Sequence, residues 1–335
     1  MSDADSDDDL FGETDGRSAA ALFGVTELID GPEGSPLLST EALAAYLSKC
    51  PEKIKLSDQS VGDDGAVELA AALSGDAASA ASVLSLDMER AELRDAGLMA
   101  LAAAFGGGAA AQLESLTLSR NRFGPSGVCA LCRTLVERDA LQYLRHLDLS
   151  GAAIGDDGLI ALGNAVASGA LEALVKLFLD ECSIGDTGVE YFANAVSGVP
   201  GLLSKLYELW LSNNALGDAA IASLARALSR GAMTKLGDLR LQFNSIGDAG
   251  IEALVTAVRD GVLPNLWYLG LNDNPLSDRA LDVLASALAD GGLPRLEFLT
   301  AGSPHSTLEA AEALQGALTT RRAAALAARV AAAAK

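Results

Sequence analysis

Rings are scarce in this chain. Aromatic residues make up 4% of its 335 positions, so where they gather is informative. Bases are scarce as well: Lys and Arg number 24 against 45 Asp and Glu, for a formal net charge of -21. That balance argues against nucleic acid and anionic membrane surfaces as partners, since both need clustered Lys and Arg. Two histidines, His146 and His305, leave little material for proton transfer or metal ligation. His146, Asp148 and Ser150 alternate along one stretch, but three residues of a single strand, spread over about 7 Å, do not make a catalytic triad. Cys50, Cys129, Cys132 and Cys182 do not read as a disulfide framework. The Cys129–Cys132 pair has no second Cys or His pair nearby to complete a zinc site, and reads as helix filler. The Gly-rich run at 105–109 lacks the Lys-Ser/Thr that a phosphate loop carries next. No apolar run is long enough to span a bilayer, and the acidic N-terminus is the reverse of a signal peptide's basic start. Free thiols without such a signal point to the cytosol, with the nucleus as the alternative. No catalytic residue, metal or cofactor is expected.

What the chain does contain is one unit, repeated. The stretch at 236–258 reads LGDLRLQFNSIGDAGIEALVTAV. Leu236, Leu239 and Leu241 give the spacing L-x-x-L-x-L, and Asn244 follows. Ile246, Gly247, Asp248 and Gly250 come next, and then an apolar pattern of helical period. Reading the last Leu of each unit as Leu56, Leu86, Leu118, Leu149, Leu179, Leu211, Leu241 and Leu271 gives steps of 30, 32, 31, 30, 32, 30 and 30 residues. Self-similarity at such a period indicates a solenoid, with a short strand and a helix in each repeat. Asn121, Asn214, Asn244 and Asn274 are expected to turn inward and satisfy backbone groups freed where the chain leaves the strand. Asp63, Asp156, Asp186, Asp218, Asp248 and Asp278 sit where a helix should start and are expected to be N-caps. They fall one per repeat, so they are not spaced as calcium ligands.

These columns resemble the leucine-rich repeat family, in its ribonuclease-inhibitor-like class with a helix in every repeat, over roughly 52–318. The resemblance implies an α/β horseshoe with a parallel sheet on the concave side and helices on the convex side. Members of the family also accept Cys in the Asn column, which Cys182 fits, whereas Gln59, Glu89 and Ala152 depart from it. On this reading the second repeat begins at Leu84, and Gly97 falls two residues late. The expectation is a loop insertion that includes Arg90 and Glu92.

The chain divides into an acidic tail (1–35), an N-terminal helical cap (36–51), the repeats (52–303), and a C-terminal helical cap with an Ala-rich tail (304–335). From Met1 to Ser35 there are ten acids and one base, Arg17. Such a segment is expected to be disordered, as a solubilising tail or as a docking motif carrying Leu10 and Phe11. The cap helix is expected over 40–49. After Pro304 a helix is expected from Thr307 to Leu318, followed by a partly frayed terminal helix.

Within L-x-x-L-x-L the x residues point away from the core. The x between the last two Leu reads Lys55, Ser85, Thr117, Asp148, Phe178, Trp210, Arg240, Gly270 and Thr300. With strands about 4.8 Å apart, Phe178, Trp210 and Arg240 should be consecutive neighbours, with Arg240 stacked on Trp210. Flanking columns add Asp180, Glu208, Asp238, Tyr268 and Phe298, and Phe243 falls at the rim. Trp, Tyr and Arg dominate binding hot spots, so these residues together form a candidate protein-docking surface. The other reading is that the rings merely cover one another, as cross-strand pairs do. The acidic balance favours a protein partner with a basic patch, held by a monomeric, non-catalytic scaffold. Ran GTPase-activating proteins are built from similar helix-bearing repeats. That resemblance implies an alternative in which the loop rim at Arg90, Arg120, Asn121 and Arg122 acts on a small GTPase.

Overall fold

The computed structural model describes residues 29–30, 36–37, 52–75, 82–198 and 201–333, with side chains over 52–323. Ile29–Asp30 (β1) pairs antiparallel with Pro36–Leu37 (β2). Otherwise the expected acidic tail and N-terminal cap helix lie outside the described residues. We keep 1–35, 36–51 and 304–335 as proposed units flanking the repeats.

The repeats build one parallel sheet of nine strands, ordered strictly by sequence. They are β3 (Lys53–Lys55), β4 (Ser85–Asp87), β5 (Ser115–Thr117), β6 (His146–Asp148), β7 (Lys176–Phe178), β8 (Glu208–Trp210), β9 (Asp238–Arg240), β10 (Tyr268–Gly270) and β11 (Phe298–Thr300). Helices alternate with them: α1 (Gly62–Gly75), α2 (Asp95–Gly106), α3 (Pro125–Arg138), α4 (Gly155–Ala167), α5 (Asp186–Ser197), α6 (Asp218–Ser229), α7 (Asp248–Arg259), α8 (Asp278–Ala289) and α9 (Leu308–Ala333). The expected α/β repeat solenoid is therefore what the chain forms. The middle residues of the strands, Ile54 through Leu299, all point inward, and none is more than 4% exposed. They join the helix residues in a single apolar core that runs the length of the stack. A fully buried Leu side chain contributes about 1.5–3 kcal/mol by leaving water, and the period repeats that gain at every rung.

The second repeat corrects the expected register. Leu86 pairs with Ile54 and Leu116, so it is the middle residue of its strand, not the last. Val83, Leu86 and Met88 are the buried set, at 1%, 1% and 0% exposure. Met88 holds the last Leu position, 32 residues after Leu56 and 30 before Leu118. Gly97 then falls in frame and no loop insertion exists. Ala91, not Glu89, occupies the Asn column, and Asp87, not Ser85, joins the Thr117–Asp148 row.

Stacking is secured by two side-chain ladders. Asn244 Oδ1 accepts from Leu216 N at 3.0 Å, in the preceding repeat. Its Nδ2 donates to the carbonyls of Leu211, Leu241 and Gln242 at 2.9, 3.0 and 3.2 Å. Asn121, Asn214 and Asn274 do the same in their repeats. Cys182 substitutes in part, its thiol donating to Leu149 O at 3.3 Å.

The Asp ladder corrects a second expectation. These residues do not cap their own helices, whose N-cap position is usually a Gly with no side-chain bond. Each carboxylate instead reaches forward to the next repeat. Asp218 Oδ1 accepts from Gly247 N and Gly250 N at 2.7 and 2.9 Å, satisfying donors at the start of α7 that have no partner within the helix. Asp63, Asp95, Asp156, Asp186, Asp248 and Asp278 do likewise. In the third repeat Pro125 stands in this column and offers no carboxylate. The facing Gly155 responds by adopting φ +59, a conformation Gly accepts freely, and its N–H turns to Cys182 O at 3.0 Å.

At the far end, Thr307 caps α9, accepting from Ala310 N at 3.2 Å and donating to Asp278 at 3.0 Å. The expected cap helix and terminal helix form one continuous helix from Leu308 to Ala333. High Ala content leaves nothing to interrupt it. Among the described residues no helix is long and apolar enough to cross a membrane.

Candidate functional site

Strand register brings Asp148, Phe178, Trp210 and Arg240 into consecutive partnership across β6 to β9. Phe178 and Trp210 stack face to face, with ring centroids 3.7 Å apart and planes 12° from parallel. The Arg240 guanidinium lies 3.7 Å from the Trp210 ring and 5.1 Å from that of Tyr268. On the opposite flank His146 meets Phe178 edge-on at 4.8 Å. A stacked row thus crosses five strands, from His146 to Tyr268.

The row partly covers itself, and this revises the expected exposed face. Phe178 is 9% exposed and Asp238 only 1%. Asp238 lies beneath Arg240 and holds it with contacts of 3.0, 3.2 and 3.3 Å from Nη2 and Nε. Asp238 therefore positions the guanidinium and does not itself present a contact surface. The sequence reading placed it with the exposed acids because it does not show Arg240 folding back over its own strand. Trp210, Arg240 and Tyr268 keep part of their surface open, while Phe298 is 48% and Phe243 56% exposed. Trp210 Nε1 is buried with no hydrogen-bond partner.

Beside the rings runs the column Asp180, Ser212 and Gln242, which strand alternation places together; the hydrogen bonds that link it were not legible in the sequence. Ser212 N donates to Asp180 Oδ1 at 2.6 Å, Ser212 Oγ donates to Gln242 Oε1 at 2.8 Å, and Gln242 Nε2 donates to Tyr268 Oη at 3.1 Å. Gln242 lies over Gly270, where any Cβ would collide with its amide. The one signal for this was a Gly inside a strand, a mark of close approach by another group.

Burial sets the electrostatics. It raises the Asp180 carboxyl to about 6, opposed by the Ser212 hydrogen bonds and by Arg240, and helped by Asp148. Asp148 is likewise raised by burial, against hydrogen bonds from Ser150 and Ser119. His146 is pushed down to about 4 by burial and by Lys176. Glu208, in contrast, pairs with Lys176 at 3.0 Å. His146 Nδ1 lies 3.3 Å from Ser115 Oγ, while Asp148 Oδ1 accepts from Ser150 N at 2.9 Å. Among the described residues no group of three or more His, Cys, Asp or Glu could hold a metal ion.

At the rim, the structure removes part of the alternative site. Asn121 is 5% exposed, with its side chain used within the Asn ladder. Arg90 pairs with Asp58 at 2.7 Å, and Arg120 approaches Glu89 at 3.8 Å. Arg122 is exposed.

Comparison with known proteins agrees with the geometry. The family described as "Leucine Rich repeat" matches at residues 140–163 and 232–255. NACHT, LRR and PYD domains-containing protein 12 of Mus musculus is 32% identical over 147 residues, 44% of this chain and 13% of that protein. Ribonuclease inhibitor of Sus scrofa is 31% identical over 158 residues, 47% of this chain and 33% of that protein. The matched stretch is thus a third or less of either relative. Among solved structures, internalin C2 of Listeria monocytogenes overlays 67% of this chain and 83% of its own, at 23% identity and a TM-score of 0.39, too loose to carry an argument.

Proposed function

Because the chain is a leucine-rich repeat protein of the ribonuclease-inhibitor-like class, whose members typically serve as protein-binding scaffolds, we propose that it is a non-catalytic scaffold holding a protein on its concave sheet. The observation that carries this reading is the row Phe178–Trp210–Arg240–Tyr268, in which scarce rings and one guanidinium are gathered on a single face. Trp210, Arg240 and Tyr268 supply the open contact area, and Phe178 and Asp238 brace them from beneath. Phe243 and Phe298 extend the apolar surface at its edges. Asp148, Asp180 and Glu208 give the face its acidic character and favour a partner with a basic patch. Complementary charge raises the encounter rate and suppresses wrong partners.

The test begins with a phage-displayed random peptide library panned on the immobilised chain. Selected peptides are then synthesised and titrated by calorimetry into wild type and Trp210→Ala. Binding at least tenfold weaker in the variant supports the reading. Equal affinity for both proteins removes Trp210, and the row with it, from the docking surface.

Activation of a Ran-type GTPase from the rim is not favoured by any contact described above. Asn121 is spent on the backbone ladder, and Arg90 and Arg120 face acids of their own chain. The expected result is that GTP hydrolysis by such a GTPase is unchanged on adding this protein.

A further inference from the structure

Two residues after the last inward position of each strand from β3 to β10, the chain adopts a left-handed conformation. The column reads Asp58, Arg90, Arg120, Gly151, Glu181, Asn213, Phe243 and Asp273, with φ between 52° and 71°. The stack imposes this. Each N–H donates to a carbonyl of the next repeat, for example Asn213 N to Gln242 O at 2.8 Å and Phe243 N to Asn272 O at 2.9 Å. Asn, Asp and Gly tolerate such a conformation most readily, and the stack holds Arg90, Arg120, Glu181 and Phe243 in it as well. Seven of the eight positions are polar or Gly. Phe243 is the exception, at φ +55 and 56% exposed. Among the described residues no ring or cation is stacked on it. Its neighbours, Asn213 and Asp273, show what the column accommodates more readily.

The stack accounts for the backbone conformation, which the whole column shares, but it does not account for an aromatic ring left in water at a column otherwise polar or Gly. We infer that Phe243 is an anchor residue that packs against an apolar side chain of the partner and fixes its register along the rim. This deepens the concave-face reading and rests on it. The partner's chemistry follows from the spacing. Phe243 and Asp180 are two strands apart, roughly 10 Å at about 4.8 Å per strand, or about three residues of extended chain. Asp273 flanks Phe243 in the same column. The fitting partner is an extended peptide segment with an apolar side chain three to four residues from a basic one.

The inference has a readout in the free protein. Phe243→Asn should raise the folded-to-unfolded ratio about fivefold, by relieving the left-handed strain, in urea titrations followed by circular dichroism. Asn213→Phe, which places a ring at the neighbouring position, should lower it by a similar factor. Peptides selected on wild type should pair a basic with an apolar residue at that spacing and bind Phe243→Asn at least tenfold more weakly. A less stable Phe243→Asn protein means the ring serves the fold and overturns the inference, as does unaltered peptide affinity. Selected peptides lacking the basic–apolar pair overturn the assigned partner chemistry. If Trp210→Ala loses binding and Phe243→Asn does not, the rim anchor fails and the concave-face reading stands. The reverse pattern removes the concave-face reading.

Discussion

Asn244→Ala is the most informative perturbation of the scaffold, because the partners of Asn244 can be counted. The side chain is 8% exposed and makes four hydrogen bonds, one accepted and three donated. Its removal does not orphan every partner. Leu211 O also accepts from Asn214 at 3.1 Å, and Leu241 O from Asn274 at 2.9 Å. Gln242 O keeps the bond from Asn213 N. Leu216 N is the group left buried without its acceptor. An orphaned buried donor costs about 1–3 kcal/mol, and each bond lost from a still-satisfied carbonyl costs less, about 0.5 kcal/mol. The expected total is about 3 kcal/mol. Asn244→Cys should lie between wild type and Ala. A thiol there can donate to Leu211 O, as Cys182 donates to Leu149 O, but Leu216 N stays unserved. The assay is urea unfolding followed by circular dichroism, reading the midpoint at unchanged slope. A cost below about 0.5 kcal/mol for Asn244→Ala would refute the ladder's role, whatever the order of the two variants.

Other expectations follow from the site and its surroundings. Trp210→Ala should cost about 2 kcal/mol of stability, since the indole stacks on Phe178 and under Arg240, each at 3.7 Å; an unchanged unfolding midpoint would contradict the row's cohesion. The Asp180 carboxyl, ordinarily at 3.8, lies near 6 in the folded chain. The stability linked to its protonated form is therefore complete below about 3.8 and is lost as pH rises through about 6. Asp180→Asn should accordingly stabilise the protein at pH 7 and do little at pH 4, and equal effects at both would exclude burial as the cause. Burial holds the Cys132 and Cys182 thiols near 12, whereas Cys129 is exposed. In a Cys50→Ser chain, a thiol reagent should label Cys129 alone within minutes and the other two only on unfolding, as peptide mapping would read directly.

The fold was legible because its determinants recur. Leucines and asparagines at fixed offsets report the same rung many times, and a departure such as Cys182 can be read against its neighbours. The second repeat was misread because Met88 took a Leu position while Leu84 and Leu86 offered a tempting false frame. The Asp column was seen but its target was not. A carboxylate at a helix start suggests a local cap, and only stacking reveals that the donors it serves lie 29 to 34 residues further on. The site was legible to the level of columns. Which strands carry rings followed from the alternation along each strand. Which rings stay open did not, because Phe178 and Asp238 are covered by side chains leaning across and along strands.

The central claim is that the open edge of Trp210 meets the partner. The chain has two tryptophans, so Trp267→Phe leaves Trp210 as the sole indole reporter. Titrating a library-selected peptide into that variant should shift the Trp210 emission and saturate at about one peptide per chain, the single-site limit. Calorimetric binding of the same peptide with no change in that emission would contradict the claim.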